Sequence, residues 1–142
     1  MTNQQKQIFA ALDAYKAAVY AKDVDAFCAI YADDVRVFDM WGEWSYEGLA
    51  AWRKMAEGWF DSLGDERVAV EFSDAQINIS GDIAIVNAFV SFSGVSAQGE
   101  KLRTMHNRIT SALRHTNGQW KIFHEHSSSP ADFETAKVML KR

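Results

Sequence analysis

The sequence predicts an α+β fold in which helices pack on one face of a curved antiparallel sheet. Three observations predict it. Apolar residues recur at helical spacing as far as Leu63, the pattern changes to β alternation from Arg67 onward, and Asn117-Gly118 marks a tight turn between two long strands. Helices followed by strands joined through tight turns favour segregated layers. A curved sheet closed on one side by three helices makes a cone, and its open end is a natural pocket because side chains from both layers converge there.

Ile8, Phe9, Leu12, Tyr15 and Val19 fall on one stripe, so a first helix is expected from about Gln4 to Ala21 with Tyr15 buried. Asp23 can cap a second helix whose apolar face is Val24, Phe27, Cys28 and Tyr31, ended by Asp33-Asp34 as the chain enters the strand VRVFD. Gly42 and Gly48 bracket a polar and aromatic connection. Leu49, Trp52, Ala56, Trp59, Phe60 and Leu63 then mark a third helix, with Gly64 as its stop. The segments RVAVEF, QINI and DIAIVNAFVSFSG read as strands, and Phe133, Lys137 and Leu140 suggest a short C-terminal helical tail.

Between Lys101 and Pro130 lies one long hairpin. A type I′ turn needs positive φ at both central residues, which Asn117 and Gly118 tolerate. A two-residue loop then sets Trp120 opposite His115, Ile122 opposite Leu113, His124 opposite Ser111 and His126 opposite Ile109. Alternation places Trp120, Ile122, His124, His126 and Ser128 on one face with Arg103, Met105, Asn107, Ile109, Ser111 and Leu113. Lys121, Glu125, His106, Arg108 and Thr110 take the other. A loop of odd length would instead turn His106, Arg108 and Thr110 inward. Polar groups on a strand face that should be core point to a cavity.

With 142 residues, 48% of them hydrophobic, the chain is expected to form one domain over residues 1–142 without a stabilising metal or disulfide. Its formal charge of −4 and scattered basic residues argue against nucleic-acid binding. The single cysteine, Cys28, fits a helical apolar face and is expected to be a core thiol. No apolar run approaches the roughly 20 residues of a membrane span. The polar start MTNQQKQ lacks the features of a secretion signal, so no membrane partner and a cytoplasmic location are expected. Glycine-rich phosphate loops, Gly-x-Ser-x-Gly elbows and Cys-x-x-Cys pairs are absent, which argues against nucleotide hydrolysis and serine esterase chemistry.

The order of elements, with DAYKAAVYAKDVDAFCAIYADDVRVFDMWG near the start and RHTNGQWKIFHEHSSSP near the end, resembles the nuclear transport factor 2-like superfamily. That group has a cystatin-like fold and includes ketosteroid isomerases, SnoaL-like polyketide cyclases and scytalone dehydratase. The segment GQWKIFHEHSS is also similar to the association domain of calcium/calmodulin-dependent kinase II. Tyr15, Tyr31, Ala32-Asp33-Asp34, Asp39 and Gly42 match the mutual spacing of the isomerases' oxyanion-hole tyrosine, helix end and general-base aspartate. The resemblance therefore implies Asp39 as base and Tyr15 as donor. It departs at three positions: the second donor maps near Ser111, a supporting tyrosine near Ala56, and the proline after the base is Met40.

Asp39 ends a strand among Phe38, Trp41 and Trp44, where desolvation would raise its pKa toward that of a useful base; the plainer alternative is a turn-starting aspartate. Tyr15 needs a partner or a cavity for its hydroxyl. His124 and His126 could hold a metal only with a third ligand, which this register does not offer, so no metal or other cofactor is expected. They are instead candidates for a second acid–base group, or for histidines hydrogen-bonded in a polar core with Ser127 to Ser129. Ligand-lining candidates are Trp41, Trp44, Trp59, Arg103, Asn107 and Ser111, although Trp59 also fits the third helix's core stripe. The expected partner is a small hydrophobic molecule bearing a carbonyl or carboxylate, acted on by a cofactor-independent isomerase, cyclase or dehydratase. The alternative is a non-catalytic ligand-binding or oligomerisation module. In both cases Phe123 amid charges on the outer sheet face suits a homodimer.

Overall fold

Thr2 opens the first helix with a reciprocal cap: its hydroxyl accepts from the Gln5 N–H at 3.1 Å while the Gln5 side chain accepts from the Thr2 N–H at 2.9 Å. A computed structural model describes residues 1–142 and begins with this helix, α1 (Asn3–Ala21). Lys22, in the left-handed conformation at φ 55°, closes it. Asp23 accepts from the Ala26 N–H and starts the short α2 (Val24–Cys28). Strand β1 (Tyr31–Phe38) follows directly, so Tyr31 and Asp33-Asp34 belong to a strand and not to a helix end. The cause is tertiary: the last strand pairs with Tyr31, and the Ile122 N–H donates to the Ile30 carbonyl.

A two-residue strand, β2 (Tyr46–Glu47), interrupts the expected connection and pairs with β1 before α3 (Leu49–Ser62). The four long strands are β3 (Arg67–Ser80), β4 (Ile83–Val95), β5 (Lys101–Thr116) and β6 (Gln119–Ser128). Their sheet has the order β2-β1-β6-β5-β4-β3, antiparallel except where β1 runs parallel to β6. Three helices on an antiparallel-dominated sheet agree with the expectation. The helices do not all precede the sheet, however, because β1 and β2 come before α3.

The core is a cluster of 23 buried residues between helices and sheet. Phe27 is fully buried at its centre, with ring centroids 5.6 Å from Tyr15, 5.2 Å from Tyr31, 6.0 Å from Trp52 and 5.8 Å from Phe60. The deep end between the layers is therefore filled by rings and is not hollow. No helix is long and apolar enough to cross a membrane.

The hairpin turn forms as its sequence dictates, with φ 53° at Asn117 and 77° at Gly118, and from Thr116 opposite Gln119 the register runs through His115 with Trp120 to Leu113 with Ile122. The register then shifts. Ala112 pairs with His124, Ser111 with Glu125 and Thr110 with His126, which leaves Phe123 as an extra residue on β6. A one-residue slip turns every later side chain to the opposite face. Glu125 and Ser127 accordingly point inward and are buried, whereas His124, His126 and Ser128 point outward, contrary to the alternation read from sequence. Phe123 stays outside, beneath the Arg114 guanidinium 4.5 Å from its ring centre.

The expected C-terminal helical tail does not form either. Residues 132–136 make a turn, Ala131 bridges Val138, and the Leu140 carbonyl accepts from the His106 N–H at 2.8 Å. Beyond the end of β6, the free edge of β5 offers backbone groups that need partners, and pairing with them outweighs helix formation.

Candidate functional site

Two carboxylates from different strands reach the space between helices and sheet. Asp39 lies just past the end of β1, half-buried, and Glu125 sits on β6, only 4% exposed. The Ser127 hydroxyl donates to Asp39 Oδ1 at 3.0 Å and accepts from the Met40 N–H at 3.1 Å. The Trp41 N–H lies 3.4 Å from Asp39 Oδ2. Burial raises the Asp39 pKa, and three donors, the Ser127 hydroxyl and the Trp41 and Met40 N–H groups, partly oppose it by stabilising the ionised form.

Glu125 has fewer donors. The Tyr31 hydroxyl donates to its Oε1 at 2.9 Å, and Ser111, its cross-strand partner, offers a hydroxyl to the same carboxylate. Burial dominates and pushes the Glu125 pKa up to about 7, with the charge of Asp39 adding to the rise. Burial thus raises both carboxyls, opposed at Asp39 by its donors and reinforced at Glu125 by the charge of Asp39, and unequal surroundings of this kind can divide acid and base roles between two groups.

Two phenols complete the cluster. Tyr15 on α1 and Tyr31 on β1 both titrate well above the ordinary tyrosine range, first because they are buried and then because Glu125 is near; Asp39 adds to the effect on Tyr15. Both hydroxyls therefore remain protonated donors at neutral pH. The Trp52 indole N–H is directed toward the Tyr31 oxygen and favours its ionisation slightly, yet it falls short of a hydrogen bond and has no partner. Asn107 Oδ1 is likewise buried without a partner, while Asn107 Nδ2 donates to the Met40 sulfur at 3.4 Å. Asp39, Met40 and Asn107 are half-buried, so the cluster reaches the surface at this end.

Of the residues singled out from sequence, Asp39, Tyr15, Asn107 and Ser111 come together here. The histidines do not. His124 Nδ1 lies 2.7 Å from the Arg36 carbonyl and His126 is exposed, and both rings stand edge-on to Phe38 on the outer face. Arg103 leaves the site as well, since its guanidinium is exposed and pairs with Glu66 at 2.7 Å. Trp44 is 98% exposed and Trp41 49%, so neither lines an interior surface, and Trp59 packs against Phe60 and Phe92. Sequence reading missed Glu125, Tyr31 as its partner, and Ser127. The available signal was Ile122-Phe123, two adjacent apolar residues that break strict alternation and admit a bulge. Two clefts of about 420 and 510 Å³ lie toward the outer face of the sheet and include none of the clustered carboxyls or phenols.

A family model for the SnoaL-like domain matches residues 8–132. Among solved structures, a nuclear transport factor 2-like protein of unknown function from Pseudomonas putida is 25% identical, with 100% of this chain and 97% of that chain covered at a TM-score of 0.87. A Xanthomonas campestris protein described as a calcium/calmodulin-dependent protein kinase II association domain is 17% identical, covering 87% and 85% at a TM-score of 0.73. A nuclear transport factor 2-like superfamily protein from Salmonella enterica is 16% identical, covering 94% and 96% at 0.72. No curated protein matches the chain.

Proposed function

The chain belongs to the SnoaL-like domain family, within the nuclear transport factor 2-like superfamily, and on that premise we propose that it binds a small, largely apolar, carbonyl-bearing molecule at its Asp39 end and moves a proton on it without a cofactor. The observation that carries this reading is the pair of unequal carboxyls, Asp39 with its three donors and Glu125 buried with a pKa of about 7. Asp39 is the base: it takes a proton from the carbon beside the carbonyl, and the electron pair of that C–H bond moves to give an enolate. The negative charge arriving on the carbonyl oxygen is met by a neutral donor, the Tyr15 phenol or the protonated carboxyl of Glu125. Return of the proton to a different carbon gives an isomerase. Attack of the enolate on a second carbonyl gives a cyclase, and loss of a neighbouring hydroxyl gives a dehydratase.

A second reading, a non-catalytic module of the same shape, is favoured by the filled interior around Phe27. Exchange of the α-protons of β-tetralone in heavy water separates the two. The first reading predicts that the wild-type protein accelerates exchange and that Asp39→Asn lowers the rate by about 100-fold while circular dichroism is unchanged. Equal exchange by the two proteins, with the fold intact, would eliminate Asp39 as base and leave the binding module.

A further inference from the structure

Asn107 gains little from its own surroundings. Its Oδ1 is buried without a partner, and its Nδ2 donates at 3.4 Å to the Met40 sulfur, a weak acceptor. The adjoining side chains on this inner face offer nothing better: Ile109, two residues along β5, is buried, and so is Val90, the cross-strand partner on β4. An apolar side chain of the same size would avoid the cost of an unpaired amide oxygen in this place. What the amide meets in a complex explains it better than packing does.

Met40 fixes the amide relative to the base. It follows Asp39 directly, and its N–H donates to the Ser127 hydroxyl, which in turn donates to Asp39 Oδ1. Its sulfur also lies 3.8 Å from the Ser129 hydroxyl, and that hydroxyl donates to the His106 carbonyl at 2.9 Å. Strand β6 stops at Ser128, opposite Arg108, so Asn107 lies just past its end, where the interior reaches the surface. Because the sulfur takes the amide nitrogen, the oxygen is the atom left for a ligand.

That oxygen accepts and does not donate, which selects the ligand's chemistry. A hydroxyl or N–H satisfies it, whereas an ether or carbonyl oxygen facing it is repelled. A carboxylate is disfavoured further by the charge of Asp39, and Arg103 is held by Glu66 at 2.7 Å instead of neutralising one.

We propose that Asn107 determines which ketones the site accepts: its amide oxygen takes a hydrogen bond from a hydroxyl or N–H of the substrate, so the preferred substrate is a neutral ketone that carries a hydrogen-bond donor on its apolar frame. The ketone itself comes from the proton-transfer reading, on which this assignment rests, while the donor follows from Asn107 alone.

Isothermal titration tests this with β-tetralone, with β-tetralones hydroxylated at each position of the aromatic ring, and with their methyl ethers, which keep the oxygen but lack the donor. The wild-type protein is expected to bind at least one hydroxylated ketone about ten-fold more tightly than both the parent and the matching ether. Asn107→Leu is expected to erase that preference and to leave affinity for the parent within about three-fold. Circular dichroism checks the fold, and Asn107→Ala removes the same oxygen without adding bulk should the first variant unfold. Equal wild-type affinity for hydroxylated ketones and ethers, a preference that survives loss of the amide, or no binding of any of these ketones would overturn the role. α-Proton exchange is read separately. A binding preference in a protein that exchanges none of the ketones removes Asp39 as base and leaves Asn107 in place, whereas exchange without preference removes Asn107 and leaves the base.

Discussion

Tyr31 and Glu125 are hydrogen-bonded at 2.9 Å across 94 positions of sequence, both buried, and their bond ties the first strand to the last in the middle of the sheet. A buried carboxyl with a raised pKa, bonded to a phenol that stays protonated, is costly to keep unless the interior uses it.

Replacing Tyr31 by Phe removes the donor and leaves Glu125 more poorly satisfied. The variant is expected to lose about 1–3 kcal/mol of stability in urea denaturation at pH 8. The Glu125 pKa should also rise further, because the lost bond stabilised its ionised form. Unchanged stability would mean that the bond is not formed in solution.

The same carboxyl makes stability depend on pH in a stated direction. Below about 4.5, the ordinary glutamate value, folded and unfolded chains both carry the proton. Between there and about 7 only the unfolded chain releases it, so this contribution to stability falls as pH rises, by on the order of 3 kcal/mol in total, and levels off above. Glu125→Gln keeps an acceptor for Tyr31 without the charge. It should be more stable than wild type at pH 8 and similar at pH 4, as read from denaturation midpoints.

His124→Gln and His126→Gln are predicted to leave α-proton exchange within about two-fold of wild type, since both rings lie on the outer face, where surface substitutions act weakly. A loss comparable to that of D39N would place a histidine back in the chemistry.

Local signals carried much of this fold into the sequence. Asn117-Gly118 set the hairpin, and the stripe through Ile8, Tyr15 and Val19 marked α1, because turn dihedrals and helical spacing are properties of neighbouring residues. Family spacing named Asp39 and Tyr15 together, and the fold brings both into the space between helices and sheet, with Tyr15 buried and Asp39 half-buried. The facing of β6 beyond Ile122 was not legible. A bulge at Phe123 needs no glycine or proline, and the turning of both Phe123 and His124 outward depends on pairing with β1, which is distant in sequence and parallel. Glu125 was therefore assigned to the outer face of the sheet. The strand start at Tyr31 was hidden for the same reason, since its pairing partner is Ile122.

The carboxyl titration of Glu125 tests the central claim most directly. Isotope-edited NMR of glutamate side-chain carboxyl carbons, with Glu125 assigned by comparison with E125Q, should show one resonance titrating with a midpoint of about 7. A midpoint near the ordinary 4.5 would mean that the carboxyl is solvated, and would contradict an interior acid–base pair.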